Sequence, residues 1–105
     1  KGWLVVARFD GAVVGCGALK ILAPGIGEIK RVWVDDATRG QGVARRIMDH
    51  LEALAAAVGV TILRLDTNRA LTEARAMYLR RGYLEIPPYN DNSYANHWFE
   101  KRLGA

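Results

Sequence analysis

Between Val34 and Thr61 the chain leaves a strand-like apolar run, passes two glycines, enters an amphipathic helix and re-emerges as a second strand. A helical crossover of that kind joins parallel neighbours, so a sheet with a parallel pair is the frame around which the rest must be built. Within the helix, expected over about 43–58, Ile47, Leu51, Leu54 and Val58 recur at three- and four-residue spacing and form one buried stripe. Gly59 stands where such a helix stops. Thr61 to Asp66 is rich in branched residues, as a strand requires.

The flanks add hairpins. Trp3 to Phe9 is strand-like and apolar, and Asp10-Gly11 is the turn pair that favours a return strand over 12–21, loosened by Gly15 and Gly17. Pro24-Gly25 and Gly27 mark a second turn. The third strand, 28–34, carries adjacent polar residues at Lys30 and Arg31, which break the period of two and predict a bulge. A second helix is expected over 72–81, with Glu73 in its first turn, Arg80 and Arg81 in its last and Gly82 just beyond. Short strands over 83–86 and 97–103 follow, separated by an irregular stretch. The fold class read from this order is α/β: a mixed, mostly antiparallel sheet with a central strand-helix-strand crossover, in one domain spanning 1–105.

Half of the 105 residues are apolar, enough for one core without staples. Cys16 is the lone cysteine, which excludes an internal disulfide and any cysteine-based metal cluster. That suits a reducing cytoplasm, the expected location. No stretch approaches the roughly 20 continuous apolar residues of a membrane span. The net charge of +4 admits either an arginine-rich surface or a polyanionic partner, and only position can decide between them.

Position points to the strand-to-helix junction. Arg39-Gly40-Gln41-Gly42-Val43-Ala44 sets two glycines before a helix whose first N–H groups lack partners and whose dipole is positive there, the makings of an anion site. Two glycines before a helix also serve as a plain tight turn. The segment is neither a Walker loop nor a dinucleotide fingerprint, since it lacks the Lys-Ser/Thr of one and the third glycine of the other. Arg39, Arg45 and Arg46, with Lys30 and Arg31 just before, favour a multiply charged anion.

Glu28 to Val34, two acids and then Arg39 to Ala44 resemble the cofactor motif of the GNAT superfamily of N-acyltransferases, in which Arg39, Gly42 and Ala44 match position by position. Ala74 to Tyr83, with Tyr78 and then Gly82-Tyr83, is similar to the family's second signature, about 40 residues on and in the right order. The resemblance covers roughly Gly11 to Leu103 and implies a GNAT-like sheet whose N-terminal strand and helices are missing from this chain. It implies acetyl-CoA as co-substrate and no metal. Main-chain amides from Arg39, Gly40, Gln41, Gly42, Val43, Ala44 and Arg45 are expected to hold the pyrophosphate. Val32, Trp33 and Val34 are expected to pair with the pantetheine arm as an added strand would, and Asn68 to hydrogen-bond it. Tyr78 becomes the acid for the departing sulfur, and Glu28 the base for the amine.

Each role has a plainer counterpart. Tyr78 also reads as a core tyrosine with a wet hydroxyl, and Glu28 as a strand-edge carboxylate paired with Lys30 or Arg31. A base is nonetheless required, because freeing an alkyl amine of pKa near 10.4 at neutral pH costs about 4–5 kcal/mol. His97 is an alternative base, His50 a solvent-facing helix residue, and Tyr89, Asn90, Asn92 and Tyr94 form a loop that either lines an acceptor pocket or is structural. The expected partner is a small-molecule or peptide amine, with a homodimer possible in principle where sheet surface is left uncovered. A CoA-binding module without turnover is the competing reading. A nucleic-acid binder fits less well, because the cations gather at helix ends and around one loop rather than along a groove-reading face.

Overall fold

In the computed structural model, which describes residues 1–104, six strands form one sheet in the order β1-β2-β3-β4-β6-β5. β1 (Gly2–Phe9), β2 (Ala12–Ala23) and β3 (Ile26–Val34) run as successive hairpins. α1 (Val43–Ala57) then carries the chain to β4 (Ile62–Thr67), the parallel neighbour of β3. α2 (Thr72–Arg80) leads to β5 (Leu84–Ile86) and β6 (His97–Arg102), and β6 pairs antiparallel with both β4 and β5. This is the mixed, mostly antiparallel sheet with a central crossover that the sequence predicts. Asp10 and Gly11 sit at φ 52° and 80°, the pair of positive values that a primed hairpin turn demands. No helix among the described residues is long and apolar enough to cross a membrane.

The core lies between one face of the sheet and the helices. Leu19, Ile29, Leu63, Leu65 and Phe99 from the strands meet Ile47, Met48, Leu51 and Ala55 of α1, with Tyr78 of α2 and Tyr83 beside them. The core-facing stripe of α1 holds the expected Ile47, Leu51 and, partly buried, Leu54, with Met48 and Ala55 added and Val58 left out. The helix ends at Ala57, and Gly59 at φ 88° turns the chain away, leaving Val58 exposed. Gly15 and Gly17 do not loosen β2; they let α1 sit close. A Cβ on Gly17 would lie 2.8 Å from Leu51 Cδ1, and one on Gly15 2.8 Å from Ile47 Cδ1. Gly27 is likewise no turn residue: it lies inside β3, where a Cβ would stand 3.1 Å from Leu19.

The predicted bulge is present. Cys16 pairs with Trp33 and Ala18 with Lys30, so Arg31 and Val32 together oppose the single residue Gly17. Arg31 takes φ 58° to accommodate the extra residue. Beyond it, Val32 and Val34 pack toward the core while Trp33 is half exposed. The bulge also separates the parallel pair: β3 and β4 are hydrogen-bonded partners only from Ile26↔Ile62 to Ile29↔Leu65. From Lys30 onward the edge of β3 that faces β4 is open.

Candidate active site

The loop before α1 is built by a single turn of 3₁₀ helix (Asp36–Thr38) followed by Gly40 at φ 81° and Gly42 at φ 79°. Two left-handed glycines alternating with ordinary residues turn successive amides to one side, as in a backbone nest. The N–H of Arg39 donates to Asp36 O and that of Gln41 to Thr38 O, both at 3.2 Å, closing the turn beneath the loop. The N–H groups of Gly40, Gly42, Val43, Ala44 and Arg45 meet no acceptor among the described residues; the first amide of α1 to find one is Arg46, bonded to Gly42 O. Arg39 and Gln41 were expected to offer main-chain donors as well, but their amides are consumed by the turn.

These donors open on a cleft of about 730 Å³ between the loop, the free edge of β3 and α2. Val32, Trp33 and Val34 form one wall; Leu71, Ala74 and Met77 form the other. Arg45 and Arg80 border it without a carboxylate partner among the described residues. Arg39 is held at the mouth by Asp36 (2.7 Å) and, across the cleft, by Glu73 (3.4 Å). The five cations expected around the loop are divided more widely. Lys30 turns to the opposite face of the sheet, Arg31 is exposed in the bulge, and Arg46 borders a separate groove against β1.

Tyr78 reaches this cleft from α2 although the residue is only 5% exposed. Its ring is fixed edge-on to Tyr83 (5.8 Å) and tilted against Phe99 (6.2 Å). Its hydroxyl has no protein partner among the described residues, yet it is not sealed from solvent. Burial, and after it the Asp66 carboxylate, push the phenol up to about 12. It is therefore a core residue and a proton holder at once: it stays protonated at neutral pH and lines the cleft.

Glu28, four residues before Val32 on β3, is not among the residues that line this cleft and is 3% exposed, so it is no edge residue. Its Oε2 accepts from Tyr89 Oη at 2.6 Å and from Asn90 Nδ2 at 3.4 Å, and lies 3.4 Å from Lys30 Nζ; Arg31 takes no part. Burial and the adjacent Glu28 carboxylate push the Tyr89 phenol well above the usual range. A second carboxylate, Asp66, closes the cluster. It accepts from Asn90 Nδ2 (2.8 Å) and Asn92 Nδ2 (3.3 Å), and Lys30 Nζ lies 3.4 Å away. Asn90 is itself fixed by Trp98 Nε1, which donates to its Oδ1 at 2.9 Å. The 89–92 loop thus covers this polar cluster. Asp66 was missed in the sequence, where the signal was available: Arg64 and Asp66 alternate with Leu63 and Leu65 on a central strand, so one face of that strand had to be polar.

Asn68, just beyond β4, is engaged by the surrounding loops. Its Nδ2 donates to Tyr94 O at 2.7 Å and its Oδ1 accepts from Ala70 N–H at 2.8 Å, so it clasps two loops and does not border the cleft. His97 is also committed, with Nδ1 2.6 Å from Glu85 Oε2 and Nε2 2.7 Å from Arg75 Nη1. An arginine can only donate, so Nε2 accepts and Nδ1 carries the proton, which leaves the ring no lone pair for an acceptor amine. His50 is exposed on α1, as expected.

With this geometry in view, residues 1–83 match the model of the acetyltransferase (GNAT) family. The chain belongs to the GNAT acetyltransferase family. Among its relatives is an IAA acetyltransferase of Azospirillum brasilense, 37% identical over 86 residues, which are 81% of this chain and 56% of that protein. This chain thus spans little more than half the length of that curated relative. A Klebsiella pneumoniae structure, provisionally named an acyl-CoA N-acyltransferase, aligns with TM-score 0.86 at 34% identity and covers 97% of this chain and 72% of its own. A Mycobacterium tuberculosis protein solved in complex with CoA aligns with TM-score 0.80 at 27% identity, over 95% of this chain and 75% of its own. In this GNAT chain the bulged β3, the glycine loop and α2 are the elements that frame the cleft.

Proposed function

We propose that this chain transfers an acetyl group from acetyl-CoA directly to a primary amine, both substrates being bound together. One observation carries the reading: five unpaired main-chain donors, Gly40 and Gly42 to Arg45, open on the same cleft as the unpaired edge of β3. That set suits a pyrophosphate joined to an extended amide-bearing arm, the shape and chemistry of coenzyme A. Acetyl-CoA supplies the activated acyl carbonyl.

The chain's own residues would then act as follows. The N–H groups of the loop hold the pyrophosphate, with Arg45 and Arg80 adding positive charge at the rim. The main chain of Val32 to Val34 pairs with the pantetheine arm, and an N–H of that strand polarises the acyl oxygen. Tyr78, protonated and lining the cleft, gives a proton to the departing sulfur. Glu28 takes the amine's proton, its Oε2 steadied by Tyr89 and Asn90. The acceptor approaches Glu28 at the polar cluster covered by Tyr89, Asn90 and Asn92. Small-molecule and peptide amines both suit it. Cys16, on β2, lies outside the cleft-lining residues, which supports direct transfer over a covalent enzyme intermediate.

The test has two stages. Acetyl-CoA is expected to raise the melting temperature, and Gly42→Glu to abolish that rise by placing bulk and negative charge among the donors. A panel of primary amines with acetyl-CoA is then expected to release free thiol, more slowly in Glu28→Gln. A melting shift without thiol release from any amine would reduce the chain to a CoA-binding module; no shift would sink the proposal.

A further inference from the structure

Lys30 puts an amine where an acceptor's amine has to go. Its Nζ lies 3.4 Å from Glu28 Oε2 and 3.4 Å from Asp66 Oδ2, and its side chain is 33% exposed. An ammonium seated between two carboxylates is the arrangement an incoming primary amine needs before a base removes its proton. In the free chain that seat is already taken by a residue of the protein.

Its place along the strand is as telling. Ile29↔Leu65 is the last β3–β4 pair, so Lys30 is the first residue of β3, and Asp66 the first of β4, beyond the point where the strands part. Two residues further on, Val32 begins the open edge that borders the cleft. Along a strand, two residues cover about 6–7 Å, a distance comparable to the length of an extended lysine side chain. Lys20 makes the contrast sharp, because it pairs with Glu28 across the β2–β3 ladder yet stands on the side of β3 away from the gap and is exposed. Lys1 lies at the chain's exposed start, and Lys101 is bound to Glu52 of α1 at 2.9 Å.

We infer that Lys30 is an internal acceptor, acetylated once on its ε-amine by the chain that carries it. The inference rests on the acetyl-CoA reading proposed above. In the step, a bond forms between Lys30 Nζ and the acyl carbon while the carbon–sulfur bond of the thioester breaks. The ammonium sheds two protons in all. One leaves through Glu28 to solvent, and the other passes by way of solvent to Tyr78, replacing the proton that its hydroxyl gives the departing thiolate. The products are an acetamide on Lys30 and a free thiol, and no oxidant or metal is needed.

The experiment is a time course of site-resolved acetylation by mass mapping, in parallel with melting curves. With acetyl-CoA, Lys30 is expected to acquire its acetyl group about tenfold or more faster than Lys1 or Lys20, as an amine already held beside the reacting centre should. The rate should be first order and unchanged when the protein is diluted at constant acetyl-CoA. N-hydroxysuccinimidyl acetate, which carries no coenzyme, should give the reverse order, with exposed Lys1 and Lys20 modified before the bridged Lys30. In Glu28→Gln the Lys30 mark should slow while the acetyl-CoA melting shift persists. If the parent shows the shift but Lys30 gains no lead over Lys20, or its rate rises with protein concentration, the internal acceptor is refuted and cofactor binding still stands. If acetyl-CoA gives no shift at all, the acyltransferase reading falls and this inference falls with it.

Discussion

Replacing Gly42 with alanine isolates what the left-handed glycine contributes to binding. The new Cβ would meet only the mobile end of Arg45, Nη2 at 3.4 Å, so space is not the obstacle. The obstacle is φ 79°, which disfavours an alanine by about 1–2 kcal/mol. In the free protein no ligand holds the loop's N–H groups in place, so the alanine loop should relax to a negative φ and lose little fold stability. Relaxation turns the peptide planes on either side of residue 42, and with them at least two of the five free donors. Forgoing two hydrogen bonds to a charged group would cost about 3–6 kcal/mol, so the bound loop should instead return to the strained form. The loss of affinity is then the smaller quantity, the strain, or about 5- to 30-fold in Kd.

That magnitude can be read from melting curves. At about 100 times Kd, acetyl-CoA should stabilise the parent by about 2.7 kcal/mol, or roughly 10–20 °C for a domain of this size. At the same concentration the alanine variant should gain about 1–2 kcal/mol, close to half the shift, while its unliganded melting temperature stays near that of the parent. A variant that keeps the full shift would show that these donors do not hold the cofactor. A variant destabilised without ligand by the whole strain, with affinity intact, would show that the loop is rigid on its own account.

Three further outcomes follow from the side chains around the cleft. Tyr78→Phe should lower kcat for thiol release by about 10- to 100-fold and leave the acetyl-CoA Kd within about twofold by calorimetry, because a thiol leaves fairly well unaided and the phenyl ring keeps its packing. Tyr78 should also mark the alkaline limb of stability. Its pKa is raised to about 12 in the fold against an ordinary value near 10, so the unfolded chain binds fewer protons between those limits. The stability it contributes is complete below pH about 10 and lost as pH rises through about 12, and Tyr78→Phe should soften that decline in denaturant titrations. Asn68→Ala should reduce stability by about 1–3 kcal/mol through its two loop contacts, with no change in acetyl-CoA Kd. A Kd rise without loss of stability would restore Asn68 to the cofactor.

The elements and the cleft were legible because each is specified locally. The turn pair Asp10-Gly11, the glycine loop and the stop at Gly59 each declare themselves within a few residues, and the bulge announced itself as two polar neighbours, Lys30 and Arg31. What the sequence left obscure depends on partners distant along the chain. Gly15, Gly17 and Gly27 read as breaks, yet they are small because Ile47, Leu51, Leu19 and Val60 press on them. Asn68 and His97 looked available and are occupied by Tyr94, Ala70, Glu85 and Arg75. Asp66 gains its place only when the 89–92 loop folds over it. Likewise, a count of cations near Gly42 did not disclose that Lys30 serves the opposite face.

The bulge at Arg31 ties these observations together. Were Arg31 a regular ladder residue rather than a bulge, strict alternation would send Val32 and Val34 to the face that bears Glu28 and Lys30, and Trp33 toward α1. With the bulge, the carboxylate face keeps Glu28 and Lys30 while Val32 and Val34 return to the core. The same irregularity ends the ladder to β4 at Ile29↔Leu65, freeing the main chain that a pantetheine arm could join. One residue at φ 58° therefore divides β3 into an upstream half that carries side-chain chemistry and a downstream half that offers backbone. The strain of a non-glycine residue there, of order 1–3 kcal/mol, is tolerated because both halves depend on it. Deleting Arg31 would remove the strain and, because Val32 would then follow Lys30 in plain alternation and still face α1, should leave stability intact or raise it; the acetyl-CoA melting shift should nonetheless shrink if the bulge is what frees the β3 edge.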